Sequence, residues 1–154
     1  MGNKLEFKNQ QSIKINNLTA VLNLIRKEEM VSRAEIAKKL DLSPTSASEL
    51  SRELMEHGLI YEAGEGESSG GRKPILLSIN EEWKYSLAVD FDFDRIKIGI
   101  FDLGLSLIEK EYIKLRESLS TKNELSKQII RVINKLMDKK QIVESDLIGI
   151  CISV

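Results

Sequence analysis

Two closely spaced helix starts constrain this chain more than any other feature of its sequence. The first is a capping box, in which Ser32 can accept a hydrogen bond from the Glu35 amide while the Glu35 carboxylate reaches back. The second is Ser43 followed by Pro44, a serine N-cap with proline at the first helical position. Gly58 can then take the left-handed conformation that ends a helix. Two short helices this close together need a tight turn between them, which is typical of a helix-turn-helix.

Apolar periodicity and a hairpin signal complete the N-terminal pattern. A preceding helix is predicted over about Ile13–Glu28, because its apolar residues recur at positions i, i+3, i+4 and i+7. Two short apolar runs, Leu59–Tyr61 and Ile75–Ile79, bracket the Gly/Ser/Glu-rich segment Gly64–Gly71. We interpret that segment as a hairpin tip rather than a linker. Three helices followed by a hairpin predict a winged helix-turn-helix over residues 1–80.

The third helix, predicted over Pro44–His57, is the member expected to enter the major groove of DNA. Arg52 can pair with guanine or phosphate, and Glu49 can accept from a cytosine amino group. On the hairpin, Arg72 and Lys73 can reach phosphates or a narrow minor groove. The inward-facing residues of this helix are predicted to be Ala47, Leu50 and Leu54. The predicted DNA-binding set is Ser32, Arg33, Ser43, Pro44, Thr45, Ser46, Ser48, Glu49, Arg52, Gly70, Gly71, Arg72 and Lys73.

Net charge does not by itself point to nucleic acid. The first 80 residues contain 11 basic and 11 acidic residues, and the remainder contains 12 basic and 13 acidic residues. A strongly basic domain would have been the usual electrostatic signature of DNA binding. The Ser/Thr-rich face of the third helix also fits a plain solvated surface, and the three-helix unit also fits a protein-interaction module.

Composition excludes several other classes of protein. Cys151 is the only cysteine and His57 the only histidine, so disulfide frameworks and metal sites built from several such residues are excluded. Apolar residues make up 42% and charged residues 31%, the balance of a soluble globular protein. The first six residues lack a secretory apolar region, and no apolar run approaches a membrane span. We expect a cytoplasmic protein with no cofactor, metal site or membrane partner.

The second half changes pattern near Glu81. Three strands are predicted over Tyr85–Phe91, Arg95–Asp102 and Ser106–Leu115. A capping box at Thr121–Glu124 begins a helix whose apolar face is Leu125, Ile129, Val132, Ile133 and Leu136. A fourth strand, Leu147–Val154, is an almost continuous apolar run and is predicted to be buried. The order βββαβ predicts a second domain over residues 81–154 and an α+β chain as a whole.

The motifs of both halves resemble the N-terminal portion of the ROK family (repressor, open reading frame, kinase), to which xylose repressors belong. The resemblance lies in Ser32–Ala37, Leu42–Ser48 and Leu54–Ile60, and above all in the Gly-Gly-Arg-x-Pro motif of Ser69–Pro74 that runs into Ile75–Asn80. It implies that the winged helix-turn-helix is followed by part of a sugar-kinase-like lobe with the actin-like ATPase fold. It also implies a repressor of sugar-utilisation genes.

The same resemblance raises the alternative of a sugar kinase or its remnant. Kinases of this family have an Asp-x-Gly-Gly-Thr-Lys phosphate loop, which aligns with Asp90–Arg95 here. The leading Asp90 is retained, but Asp92 and Phe93 replace the two glycines and Asp94 replaces the threonine. Backbone amides can approach phosphate closely only where side chains allow it, and added carboxylates repel phosphate. This degenerate loop therefore predicts a tight polar turn, no ATP binding and no enzyme activity.

The resemblance also defines the expected partners. It implies double-stranded operator DNA of palindromic sequence, bound by a homodimer of the full-length protein. The chain stops at Val154 within an expected core strand. The family's sugar-binding residues, zinc site and most of the dimer interface are expected beyond that point, so a sugar effector is expected only in a longer form. The exposed sheet edge of such a partial lobe favours self-association.

Overall fold

Three helices form the scaffold of the N-terminal part: α1 (Asn3–Glu28), α2 (Arg33–Lys39) and α3 (Pro44–Glu56). The computed structural model describes residues 3–67, 70–115 and 121–154, with side chains from residue 11 onward. Ser68 and Ser69, from the hairpin tip and the Gly-Gly-Arg-x-Pro motif, lie outside the described residues. Spatial contacts divide the chain into two units, Met1–Asn80 and Glu81–Val154.

The helix starts of the first unit follow the sequence prediction for α2 and α3 but not for α1. Ser32 and Ser43 are the N-caps of α2 and α3, and Gly58, with a φ of 76°, follows the end of α3. The prediction that α1 begins near Ile13 was wrong, since the helix begins at Asn3. The added residues include Lys, Glu, Gln and Leu, which favour a helix intrinsically. They lack the apolar periodicity on which the prediction depended.

A three-stranded antiparallel sheet forms the wing, in the order β1–β3–β2. Its strands are β1 (Val31–Ser32), β2 (Ile60–Glu65) and β3 (Ile75–Ile79). The central strand places Leu77 opposite Val31 on one side and Glu62 on the other. The two-residue strand β1 was not predicted, because it is too short to show a period-2 pattern. The predicted hairpin is present and makes the fold a winged helix-turn-helix.

The core of the first unit is built from one face of each helix and the inner face of the wing. The inward positions predicted for α3 are confirmed, since Ala47, Leu50 and Leu54 are all buried. Ser51 is also fully buried, and its hydroxyl donates to the Ala47 carbonyl at 2.7 Å. Its polar side chain hid it from an argument based on apolar periodicity. The other buried apolar residues are Val21, Ile25, Val31, Ile36, Ala37, Ile60, Leu77 and Ile79.

The second unit has the predicted βββαβ order. Its elements are β4 (Tyr85–Phe91), β5 (Arg95–Phe101), β6 (Leu107–Lys114), α4 (Lys122–Lys140) and β7 (Leu147–Ser153). The sheet order is β6–β5–β4–β7, in which β7 runs parallel to β4 and the other pairs are antiparallel. Thr121 caps α4 by accepting from the Glu124 amide. The apolar face predicted for α4 packs against the buried residues of the sheet.

Strand β7 corrects one sequence prediction. Leu147–Val154 was expected to be buried, but Ile148, Ile150 and Ile152 are 58%, 56% and 65% exposed. The reason is the position of α4, which packs over β5 and β6. Among the described residues, no element covers the face of β7 that carries Ile148, Ile150 and Ile152. A continuous apolar run indicates a strand that can be buried, but it does not supply the neighbour that buries it.

Candidate nucleic-acid interface

The N-terminal turn of α3 gathers several of the predicted contact residues. The Ser43 hydroxyl accepts from the Ser46 amide at 3.0 Å, and the two hydroxyls are 2.8 Å apart. The Ser48 hydroxyl donates to the Pro44 carbonyl at 2.8 Å. Ser43, Pro44, Thr45 and Ser48 are exposed, and Ser46 is half-buried. These short polar groups stand at the positive end of the helix dipole, where an anion such as phosphate is favoured.

The longer side chains on the outer face of α3 are Glu49 and Arg52. Both are exposed and point away from the buried side of the helix. Arg52 Nε lies 3.7 Å from Glu56 Oε1, and these two side chains are 70% and 66% exposed. An exposed pair of this length contributes little to stability, so Arg52 can leave it for a base or a phosphate. The described residues offer the Glu49 carboxylate no hydrogen-bond or ion-pair partner.

Ser32 does not join this surface. It is only 5% exposed, and its hydroxyl donates to Glu35 Oε2 at 2.7 Å and accepts from the Glu35 amide at 3.3 Å. Its own amide donates to the same carboxylate oxygen at 2.9 Å. Hydrogen bonds from the Ser32 backbone and side chain hold the pKa of Glu35 below its ordinary value. The capping box therefore occupies the polar groups of Ser32 at the start of α2, and its contact with DNA stays a prediction.

Arg33 is also used within the protein. Its guanidinium donates to Glu62 on β2 at 2.9 Å and lies 3.8 Å from the Met55 sulfur on α3. This side chain is 27% exposed, so it links α2, α3 and the wing. Arg33 belongs to the predicted DNA-binding set, and in the protein alone its guanidinium pairs with Glu62. The two residues are 29 positions apart, and no local sequence pattern could have paired them.

The wing presents the rest of the predicted set at its tip. Gly70, Gly71, Arg72 and Lys73 are all exposed, and Gly70 has a φ of 119°, which favours glycine. Lys73 Nζ lies 3.7 Å from Glu65 Oε2, which partly offsets its charge. In the described part of the chain, the Arg72 guanidinium has no such partner. Arg72 is thus the cation of the wing that is most available to DNA.

The β4–β5 turn of the second unit is a closed network of ion pairs. Lys97 Nζ lies 2.8 Å from Asp92 Oδ2 and 3.4 Å from Asp90 Oδ2. Arg95 donates two bonds to Asp94, at 2.7 and 2.9 Å. Hydrogen bonds from Lys97 and Arg95 lower the pKa values of Asp92 and Asp94 respectively. The predicted tight polar turn is present, and its cations already neutralise its carboxylates.

The described residues also bear on other classes of site. No group of three or more His, Cys, Asp or Glu side chains lies close enough to hold a metal ion. None of the described helices is both long and apolar enough to cross a membrane. His57 is the C-cap of α3, and Cys151 is exposed on β7.

Comparison with known proteins bears on the family of this chain. A family model described as winged helix-turn-helix DNA-binding matches residues 17–61, from α1 into β2. The xylose repressor of Caldicellulosiruptor bescii is 30% identical over 146 residues, which are 95% of this chain and 36% of that protein. The xylose repressor of Bacillus subtilis is 30% identical over 97% of this chain and 38% of its own length. The resemblance to ROK-family regulators of the xylose-repressor type is confirmed.

Two further proteins are similar to most of this chain. The transcriptional dual regulator NagC of Escherichia coli K12 is 28% identical over 98% of this chain and 37% of its own length. A crystal structure of a ROK-family transcriptional regulator, described as a homologue of the E. coli Mlc protein, matches with a TM-score of 0.62. That match has 23% identity and covers 90% of this chain and 35% of the other, so it shows the fold. The chain spans little more than a third of the length of these relatives.

Proposed function

We propose that this chain carries the operator-binding portion of a sugar-responsive transcriptional repressor. The proposal rests on one observation: the outer face of α3 and the tip of the wing are both exposed in the same unit. The outer face of α3 presents Thr45, Ser48, Glu49 and Arg52, and the wing presents Arg72. A recognition helix and a basic wing tip suit the major groove and the backbone or minor groove of one duplex.

The finer parts of this proposal go beyond the names of the relatives, which support only the response to a sugar. Residues 1–80 act as the DNA-binding domain, and residues 81–154 begin a sugar-kinase-like lobe. The full-length protein binds a palindromic operator as a homodimer in the cytoplasm and releases it when a sugar binds the rest of the lobe. The related repressors are named for xylose and N-acetylglucosamine, so these two sugars are the first effectors to test.

A kinase activity is disfavoured by the β4–β5 turn. A phosphate there would meet Asp92 in place of a glycine and Asp94 in place of the threonine of a phosphate loop, and Lys97 and Arg95 are already engaged by carboxylates. The relatives also carry the names of regulators rather than kinases. We expect no sugar-dependent release of ADP when the chain is incubated with ATP and either xylose or N-acetylglucosamine. Release of ADP above the background of a protein-free control would support the kinase alternative.

The decisive experiment is selection of binding sites from random double-stranded DNA. Immobilising the chain at high density allows two copies to engage one site through effective concentration. The affinity of the best site is then compared with that of a scrambled site at about 0.15 M salt. We expect a preference of about 10³ or more and a palindromic consensus. Retention of the fold without any sequence preference would instead favour the protein-interaction module.

Two arginine variants test the assignment of contacts within that site. Arg52→Ala should lower affinity by about 1–3 kcal/mol and relax the preference at one base position if Arg52 reads a base. Arg72→Ala should weaken binding to every sequence and reduce the salt slope by about one. Arg26→Ala, an exposed cation in the last turn of α1, is the matched control. An Arg72 variant with the salt slope of the parent would remove Arg72 from the phosphate contacts.

A further inference from the structure

The outer face of α3 carries a carboxylate where a DNA-binding surface usually carries cations. Glu49 lies between Thr45 and Arg52 along the exposed side of the helix, one turn after the N-terminal serines. Arg52 is three residues away, but its guanidinium lies toward Glu56 on the next turn. Within the described residues, nothing neutralises the Glu49 carboxylate. The Glu49 carboxylate is therefore available to the partner that binds the outer face of α3.

The charge balance of the first unit makes the effect of the Glu49 carboxylate on DNA binding relatively large. The unit's basic and acidic residues are equal in number, and several of its cations lie beside acids. The ion pairs are Lys14–Glu53, Arg33–Glu62, Lys39–Glu28, Arg52–Glu56 and Lys73–Glu65. Sequence-independent binding to DNA comes mainly from attraction between basic side chains and phosphates. A unit with so little spare positive charge has weak attraction of this kind, and Glu49 is one of the exposed acids that reduce it.

The chemistry of the major groove makes the cost of that acid dependent on sequence. A carboxylate only accepts hydrogen bonds, and in the major groove only the amino groups of cytosine and adenine donate them. Opposite guanine or thymine, the Glu49 carboxylate would lose water and meet oxygen and nitrogen acceptors. Burying an unpaired charge is costly. The same side chain is therefore satisfied on some sequences and penalised on others.

We propose that Glu49 sets the specificity of this unit mainly by rejecting DNA that offers no amino group to its carboxylate. This inference rests on the proposed DNA-binding function and assigns Glu49 a role beyond that of one more contact. It predicts that removing the charge strengthens binding to wrong sequences. An ordinary contact residue would weaken binding to the right sequence and leave the wrong ones unchanged.

The test compares three variants with the parent on the selected site and on scrambled DNA. Glu49→Gln removes the charge but keeps the length of the side chain and adds a donor. Glu49→Asp keeps the charge but shortens its reach. Glu29→Gln makes the same change of charge at an exposed residue between α1 and β1, outside the helix-turn-helix.

We expect E49Q to bind scrambled DNA more tightly, on the order of fivefold at about 0.15 M salt, the size expected for about one released counterion. Its preference for the selected site should fall by about tenfold. E49D should keep the weak binding to scrambled DNA, and E29Q should change both affinities by the same small factor. A repeated site selection with E49Q should relax a single cytosine or adenine position.

Three results would separate the failure of this inference from that of the proposed function. If the parent selects a sequence but E49Q gains equally on selected and scrambled DNA, Glu49 acts only through net charge and the inference is wrong. If E49Q loses affinity for the selected site with no gain on scrambled DNA, Glu49 is an ordinary contact and the inference is again wrong. If the parent selects no sequence while remaining folded, the proposed function itself fails.

Discussion

Replacing Ser32 by alanine should destabilise the first unit more than its position at the end of a two-residue strand suggests. The change removes the hydroxyl that accepts from the Glu35 amide and donates to the Glu35 carboxylate. Loss of a serine N-cap costs about 1 kcal/mol. Loss of a bond to a charged acceptor adds a similar amount, and the carboxylate keeps its bond from the Ser32 amide. We therefore expect S32A to lower the free energy of unfolding by about 2 kcal/mol.

Ser43→Ala is the matched control, because Ser43 caps α3 in the same way but is exposed and pairs with no carboxylate. It should cost about 1 kcal/mol or less. Urea unfolding followed by circular dichroism measures both values. Trp83, the only tryptophan, lies in the second unit and reports that unit separately by fluorescence. The S32A shift should therefore be larger by dichroism than by fluorescence. Equal stability of S32A and S43A would refute the reasoning.

The pH dependence of the S32A effect has a definite sign. The Ser32 amide and hydroxyl both lower the pKa of Glu35 in the folded state, and S32A removes only the share of the hydroxyl. The stability that the hydroxyl provides is therefore present above the unfolded pKa of about 4.3. That stability is lost as the pH falls through the folded-state pKa, which lies lower. The difference in unfolding free energy between the parent and S32A should therefore be largest near neutral pH and shrink below about pH 4.3. A difference that grows on acidification would contradict this assignment.

Three further perturbations follow from the packing. Leu77→Ala empties the fully buried centre of the wing sheet and should cost about 2–5 kcal/mol in urea unfolding. Gly58→Ala forces a Cβ onto a φ of 76° and should lower stability by about 1 kcal/mol, measured in the same way. Ile150→Lys charges the exposed edge strand and should shift the chain toward monomer in sedimentation velocity at rising concentration.

Each of these predictions has its own check. A Leu77→Ala loss below about 1 kcal/mol would mean that the site collapses around the cavity. Gly71→Ala, where an added Cβ meets nothing within 4 Å, should leave stability unchanged and is the control for Gly58→Ala. If the parent chain sediments as a monomer throughout, the exposed face of β7 does not drive association, and I150K should then behave like the parent.

Local signals predicted the helices and all strands except β1, whereas they did not predict the long-range contacts of individual residues. Ser32, Ser43, Gly58 and Thr121 act through bonds within a few positions of themselves, so the sequence alone located the starts of α2, α3 and α4 and the end of α3. The ion pair of Arg33 with Glu62 was not predicted, because its partner lies on another element. A local pattern carries no information about which distant side chain will be close in space.

The burial of side chains was likewise predicted where it depends on local spacing and missed where it depends on distant elements. The inward residues of α3 followed from helical spacing, because a helix turns one face to its core. The exposure of Ile150 did not follow, because it depends on where α4 lies over the sheet. The exposure of the candidate DNA surface was predicted only in part. The structure keeps Glu49, Arg52 and Arg72 exposed but turns Ser32 inward. The DNA contacts themselves remain predictions.

Ser32 belongs at once to the wing sheet and to the first helix of the helix-turn-helix, as the last residue of β1 and the N-cap of α2. Arg33, the next residue, adds a second tie to β2. A hinge at this junction would have to break both a strand pairing and a capping box. The wing tip and the recognition helix should therefore move as one piece. On DNA, the bases read by α3 and the segment touched by Arg72 would keep a constant spacing, so an operator half-site would tolerate substitutions far better than insertions of a single base pair.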